Sequence, residues 1–302
     1  MREPKVAVLI LNWNRAKDTE ECLNSIFQQS YSNYKIVLVD NGSTEKESLE
    51  IGKKYKNIVF IRSEENLGFA GGNNLGIRYA LGEGYDYIFI LNNDVTLDRD
   101  CLLNLIKVGE YFNSAGIIGP AVYSYYEKNK IISTGGKIDW WRGKPLDKME
   151  KIGFSLKPKV VEHLNGCGLL VKKEVFEKIG LLDEEYFLFY EETDFCVRAR
   201  RKGYKVVFVP EAKLWHKISQ STGGTYTPMA LYFGTRNRLL FMWKNGDFFS
   251  WIPFFLFIFP GSVFKNLWKF RNKKKEKKWF ILGIIDFFRK RFGKGRWSED
   301  SN

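Results

Sequence analysis

The stretch Tyr87-Ile88-Phe89-Ile90-Leu91, followed at once by Asn92-Asn93-Asp94, constrains this chain more than any other. Five consecutive apolar residues bounded by a polar turn predict a strand buried on both faces, as in a parallel sheet. Ligands of open α/β sheets bind just beyond the carboxyl ends of such strands. A carboxylate held there, Asp94, is placed to hold a divalent cation, and a cation at that edge is placed to hold a diphosphate. The same three residues would also serve as a plain turn capping a helix that starts near Leu97.

The flanking sequence favours an α/β sheet. Val6–Leu11 reads as a buried first strand that ends in Asn12-Trp13-Asn14-Arg15, after which Asp18 and Thr19 can cap a helix carrying Cys22, Leu23, Ile26 and Phe27. Lys35–Asp40 is a second strand running into Asn41-Gly42-Ser43, Glu45–Tyr55 a helix, and Ile58–Ile61 a third strand. This β-α-β-α-β order with short turns is the pattern of a doubly wound, mostly parallel sheet. Asn66–Gly76, rich in Gly and Asn, reads as a loop feeding a helix that reaches about Leu81. Its glycines would let backbone approach a ligand, or would simply aid packing. It lacks the glycine spacing of dinucleotide-binding enzymes.

Beyond Asp94, 98–113 reads as a helix and 116–122 as a strand, and 124–158 is irregular and rich in aromatics. Residues 160–172 read as a glycine-punctuated strand containing His163 and Asn165-Gly166-Cys167-Gly168. Tyr190-Glu191-Glu192-Thr193-Asp194 sets three acids at a helix start. The helix dipole favours acids there, and Arg198 stands four residues after Asp194, so a purely structural role is available too. Trp215-His216 follows a strand at 206–210.

The 302 residues carry a net charge of +13, which would ordinarily suggest nucleic acid. Its distribution argues otherwise. Between Lys265 and Arg296 lie 13 Lys and Arg against Glu276 and Asp286, leaving only +2 for all other residues. The basicity belongs to a tail. Within that tail 248–264 is apolar but interrupted by Pro253 and Pro260, which predicts a stretch too irregular to span a bilayer. A basic run at 273–278 and an apolar segment at 279–292 follow. Aromatics beside Lys and Arg clusters suit an anionic membrane surface; the alternative is a pair of helices packed on the body. The four cysteines are widely spaced, predicting neither disulfides nor a zinc site, and the N-terminus does not read as a signal peptide; a reducing cytosol is expected.

Taken in order, Leu11-Asn12-Trp13-Asn14, Val39-Asp40-Asn41-Gly42-Ser43, Glu65–Phe69, Gly71–Gly76, Leu91–Asp94, Asn165–Gly168, Leu182-Asp183-Glu184 and Tyr190–Asp194 resemble the family 2 glycosyltransferases, particularly the rhamnosyltransferase-like branch with a GT-A fold. The resemblance covers residues 5–245. It implies a catalytic domain over 1–245, with a nucleotide-sugar-binding half at 1–122 and an acceptor half at 123–245, and a basic, aromatic, membrane-associating tail at 246–302. By this resemblance Asn12, Asn14, Asp40, Asn41, Asn66, Gly68, Asn73, Asn92 and Asn93 line the nucleotide-sugar. Asp94 stands at the end of the family's DXD motif, with Asn92 in place of its first acid, and His216 completes the metal site. Glu192 takes the place of the catalytic base with Asp194 as second choice, and Gly166, Cys167 and Glu191 lie on the acceptor side.

The implied activity is an inverting transfer from a UDP- or dTDP-sugar, rhamnose-like sugars included, to a glycan or lipid-linked acceptor. It would be assisted by Mg2+ or Mn2+, at the cytoplasmic face of the cell membrane, with the protein peripheral or anchored by its C-terminal tail. A sugar-1-phosphate nucleotidyltransferase would need a Gly-rich loop with Arg and Lys after the first strand, which Asn12-Trp13-Asn14-Arg15 does not supply. A non-catalytic membrane- or nucleic-acid-binding protein would carry its charge on the folded body.

Overall fold

The computed structural model describes residues 2–147, 157–217 and 227–297. Its first half alternates strands and helices: β1 (Val6–Asn12), α1 (Ala16–Phe27), β2 (Tyr34–Asn41), α2 (Lys46–Lys54), β3 (Val59–Ser63), α3 (Gly68–Gly82) and β4 (Tyr87–Asn92). The four strands pair in parallel in the order β3-β2-β1-β4. The chain reverses its winding between β1 and β4, and such a reversal opens a crevice at the carboxyl edge. Both faces of β1 are buried from Val6 to Ile10: Val6, Val8 and Ile10 enter one core layer with α1, while Ala7 and Leu9 enter the other beneath α3.

The second half adds β5 (Val95–Leu97), α4 (Cys101–Tyr111), β6 (Ala115–Ser124), β7 (Ile131–Ser133), β8 (Gly136–Asp139), β9 (Lys144–Asp147), β10 (Lys159–Val161), β11 (Gly168–Lys172), α5 (Lys173–Ile179), α6 (Glu191–Arg201) and β12 (Lys205–His216). Strand β11 runs antiparallel between β4 and β6, and β12 pairs in parallel with β6. One sheet of ten strands therefore runs through both halves of the predicted catalytic region.

Several sequence expectations are corrected here. Helix α1 starts at Ala16, after Asn14 and Arg15 in the left-handed conformation, so Asp18 and Thr19 lie inside it. The Gly- and Asn-rich stretch is mostly helix: α3 begins at Gly68, and its glycines seat it on the sheet. A Cβ on Gly76 would lie 2.1 Å from Leu9 Cδ1, and one on Gly72 2.5 Å from Leu11 Cδ1. No helix starts at Leu97; the polar turn leads into β5, and α4 follows. Residues 160–172 form two strands that are not neighbours, β10 and β11. Of the irregular stretch 124–158, residues 148–156 lie outside the described ones.

The C-terminal region is helical: α7 (Pro228–Asn245), α8 (Phe248–Pro253), a π-helical turn (Phe254–Ile258), α9 (Phe259–Lys269) and α10 (Lys274–Phe288). Thr227 caps α7 and Pro228 opens it. Contrary to expectation, Pro253 and Pro260 do not break the apolar stretch, which is one continuous helical run of 22 residues, Phe248–Lys269. Pro253 falls next to the π-helical turn, where the ladder is already re-spaced, and Pro260 falls beside it at the start of α9. Helix α10 packs on α7, and Trp279 and Trp297 enclose Tyr232 and Phe233, so the last part of the tail belongs to the folded body.

Candidate active site

Register alone assembles the predicted residues. Asn12 pairs with Asp40 across β1 and β2, Leu11 with Asn92 across β1 and β4, and Gly168 with Leu91 across β11 and β4. Strand β5 pairs antiparallel with β12 so that His216 faces Val95. The ends of β1, β2, β4 and β12 and the start of β11 therefore share one edge.

A web of short polar side chains shapes that edge. Asn12 donates to Asp40 Oδ1 at 3.0 Å and to Ser43 Oγ at 3.2 Å, and accepts from Thr19 Oγ1 at 2.8 Å. Asn93 donates to Thr19 Oγ1 at 3.0 Å and to Asn12 Oδ1 at 3.3 Å. Asn14 Oδ1 accepts from the backbone of Thr44 and Glu45, at the entry to α2. Asn41 donates to Asn66 Oδ1 and the Gly68 carbonyl and accepts from Leu67 N; Asn66 also accepts from Gly68 N. Gly68 has φ +74° and a Cβ there would strike the Phe187 carbonyl, so only glycine fits. These residues hold the shape of the edge with their side chains already engaged.

Another set is not engaged. Asp40 Oδ2, Asn73 Oδ1, Asn92 Oδ1 and Glu191 Oε2 are buried without a hydrogen-bond partner among the described residues, as is Trp13 Nε1. Buried polar atoms are nearly always satisfied, so a group of orphans needs an explanation, and a ligand supplies one. The Arg62 guanidinium lies 3.8 Å from Asp40 Oδ2.

Asp94 and His216 form the candidate metal pair, with Nε2 and Oδ1 3.1 Å apart. Burial pushes the Asp94 carboxyl up, but the imidazole against it more than offsets this and holds it below the usual range. Burial pulls His216 down, and Cys167 and Asp94 beside it drive it up to about 10. Among the described residues no group of three His, Cys, Asp or Glu side chains gathers to hold a metal, so those residues offer the Asp94–His216 pair and no larger cluster.

Across the segment Asn165-Gly166-Cys167 stands Glu192. A Cβ on Gly166 would touch Glu192 Cβ and Cγ at 3.3 Å, and the Asn92 amide bonds the Cys167 carbonyl at 3.3 Å, so this segment links the acid to the Asp94 turn. Glu192 is partly buried, accepts from Thr193 Oγ1 at 3.0 Å, and has its pKa raised by burial, with Asp147 adding to the rise and His163 opposing it. Glu191 is buried and raised well above the carboxylate range by desolvation and by the charge of Glu192.

Asp194 is different. It accepts from Arg198 Nε at 2.7 Å, Asn245 Nδ2 at 2.7 Å and Tyr186 OH at 3.3 Å, and is 2% exposed. With both oxygens engaged in a buried network, it braces α6 and does not suit the role of base.

Sequence reasoning missed two contributors. His163, 2% exposed, has its Nε2 without a hydrogen bond and 3.9 Å from Asp147 Oδ1. Asn237 of α7 donates to the carbonyls of Tyr186, Leu188 and Phe189, just ahead of Glu192. The glycine-punctuated setting of His163 was a signal; Asn237, inside an ordinary helical pattern, gave none.

A family model described as glycosyl transferase family 2 matches residues 7–180. The chain is 28% identical over 238 residues to the low-salt glycan biosynthesis hexosyltransferase Agl10 of Haloferax volcanii, covering 78% of this chain and 74% of the relative. It is 28% identical over 286 residues to the dTDP-rhamnosyl transferase RfbF of Shigella flexneri, covering 87% and 89%. Among solved structures, GalNAc-T7 with UDP, GalNAc and Mn2+ superposes with a TM-score of 0.62 at 18% identity, over 77% of this chain and 47% of that one. The mannosyltransferase of Pyrobaculum calidifontis in complex with GDP-Man and Mn2+ superposes with a TM-score of 0.60 at 13% identity, over 96% and 89%. The fold is thus GT-A, as the motif resemblance implied.

Proposed function

Since the chain belongs to glycosyl transferase family 2, we propose that the sheet edge binds a nucleotide diphospho-sugar and that Glu192 activates an acceptor hydroxyl for a single, inverting displacement. The observation that carries this is the set of unsatisfied buried oxygens of Asp40, Asn73 and Asn92 beside the Asp94–His216 pair, with Glu192 across the Gly166 segment. Asp40 Oδ2 and Asn73 Oδ1 are acceptors for base or ribose donors, and Asp94 with His216 would hold a divalent cation, Mg2+ or Mn2+. Two protein ligands suit a hard cation that takes its other ligands from substrate phosphates and water. Bound there, such a cation neutralises charge developing on the leaving diphosphate.

The rest of the chemistry falls to the protein's own groups. The Glu192 carboxylate takes the acceptor O–H proton, the freed oxygen bonds to the anomeric carbon, and the bond from that carbon to the diphosphate oxygen breaks. Its raised pKa brings the carboxylate closer to the operating range of a general base. His163, close enough to lower that pKa, limits the rise.

A dTDP-sugar donor with a rhamnose-like sugar follows one relative's name and a lipid-linked glycan acceptor another's; a UDP-sugar donor and a site at the cytoplasmic face of a membrane belong to the same reading. Thermal unfolding with UDP, dTDP and GDP, each with and without Mn2+ or Mg2+, tests the donor site. A ligand at about a hundred times its Kd stabilises by roughly 2.7 kcal/mol, a visible shift in Tm. Metal-dependent stabilisation by one diphosphonucleoside is expected; no shift with any of them overturns the reading.

A further inference from the structure

Eight of the fifteen large apolar side chains exposed on the described residues lie in the last quarter of the chain, from Trp243 onward. Along the 22-residue run Phe248–Lys269 five of the six that lie there fall on one stripe. Phe249, Leu256, Phe257, Phe264 and Trp268 recur at helical spacing and are 63–82% exposed. The opposite face of the run is occupied. Phe254 and Phe259 are buried against α7, and Arg238 of α7 lies over the Phe254 ring at 5.2 Å and reaches Ser262 Oγ at 3.3 Å.

The charges beside the stripe are arranged at a cost to local stability. Lys274, Lys275, Lys277 and Lys278 fill the first turns of α10 with only Glu276 among them, and Lys273 precedes them. The amino end of a helix already carries partial positive charge, so lysines there disfavour the helix. Lys273, Lys274, Lys275 and Lys278 are exposed, and Lys265 and Lys269 flank the stripe itself. A row of aromatics edged by cations complements one surface, a bilayer whose headgroups are anionic.

We propose that Phe248–Lys269 is a monotopic anchor that lies in the plane of an anionic membrane. Phe257, Phe264 and Trp268 enter the headgroup and acyl boundary, and the 273–278 lysines sit on the lipid phosphates. The run is long and apolar enough to cross a bilayer by length and composition. A crossing helix would meet lipid all round, whereas this one has a face committed to α7; lying flat keeps that face on the protein. The inference does not depend on the chemistry assigned to the catalytic edge.

Flotation of the full chain with vesicles tests it. Binding is expected to phosphatidylcholine vesicles containing phosphatidylglycerol, to weaken with added salt, and to fall sharply on phosphatidylcholine alone. The double variant Phe257→Ser/Phe264→Ser should weaken binding more than about tenfold. Replacing Lys273, Lys274 and Lys275 by Gln should weaken it about a hundredfold. The Phe variant should melt at the wild-type temperature, since its altered side chains touch solvent, and the Gln variant at or slightly above it, since the lysines disfavour the start of α10.

Depth distinguishes lying from crossing. The native cysteines are all buried, so a fluorophore can be placed selectively on F257C or W268C. Lipids brominated near the headgroup should quench both positions equally. Deeper quenching at 257 than at 268 overturns the in-plane geometry. Failure to float with anionic vesicles overturns the proposal. So does vesicle-free self-association that shields both positions, which would assign the stripe to a second copy, or salt-sensitive binding to an oligonucleotide without vesicle binding.

Discussion

The Asn237 side-chain amide lies 2.7 Å from the carbonyl oxygen of Tyr186, and the same nitrogen also reaches the carbonyls of Leu188 and Phe189. Phe187, Phe189 and Tyr190 all have positive φ, between 64° and 77°, a conformation that costs non-glycine residues energy. A buried amide on α7 thus holds in place the strained segment that delivers Glu192. Arg236 adds donors to the carbonyls of Glu185 and Tyr186. Asn237→Leu should cost about 1–3 kcal/mol through stranded carbonyls. Urea unfolding reads that loss, and kinetics should show kcat falling more than donor KM rises, because the base moves while the donor edge stays.

Glu192→Gln should lower kcat by about 10²–10⁴-fold, the usual contribution of a general base, while leaving the metal-dependent Tm shift with nucleotide intact. A wild-type rate in this variant would remove Glu192 from the role. The pH profile carries a sign. The proposed base would work deprotonated and burial raises the Glu192 pKa, so the acid limb of kcat should lie above the ordinary glutamate range, with activity lost as pH falls through it.

Glu191 offers a stability test with its own sign. Its folded pKa is raised by burial, so its contribution is fully present below the unfolded value and is lost as pH rises through the folded one. Glu191→Gln should therefore raise Tm relative to wild type at alkaline pH, with the difference vanishing in acid. Calorimetry across that range decides it; a pH-independent difference would place the carboxyl in water.

Asp94→Asn and His216→Ala should each abolish the cation dependence of nucleotide stabilisation. The fold should survive both, because the pair lies at the sheet edge and outside the apolar layers. Isothermal titration with Mn2+ and nucleotide, followed by a thermal scan without either, separates lost binding from lost structure.

The glycines of α3 make a prediction about packing alone. Gly76→Ala drives a Cβ into the fully buried Leu9 and should cost about 1–3 kcal/mol. Gly82→Ala, with nothing within 4 Å and an ordinary φ, should stabilise by about 0.4–1 kcal/mol. Denaturant midpoints of the two variants should move in opposite directions.

Strands β1, β2 and β4 were legible because both faces of each are buried, which writes them as unbroken apolar runs ending in polar residues. The edge residues Asn12, Asp40 and Asp94 were legible for the same reason, since each sits where such a run stops. Sequence could not separate the asparagines that brace the edge from the atoms left open, because that depends on partners such as Thr19 and Ser43 supplied by other segments. Strand β5 was missed because three residues carry too little pattern, and the full engagement of Asp194 was not legible because Asn245, which bonds it, is remote in sequence. The prolines misled through propensity: Pro253 and Pro260 fall at a π-helical turn and a helix start, where a missing amide donor is tolerated.

The pairing of β5 with β12 also makes the candidate metal pair a product of topology. Asp94 and His216 come from distant parts of the chain and meet only when the last strand of the sheet docks beside a three-residue strand. A species in which β5 and β12 are unpaired cannot hold both, so cation-dependent nucleotide binding would report on that pairing. Once formed, a ligand gripping both residues closes a loop of well over a hundred residues, and such a clasp acts most strongly on the rate at which the sheet opens.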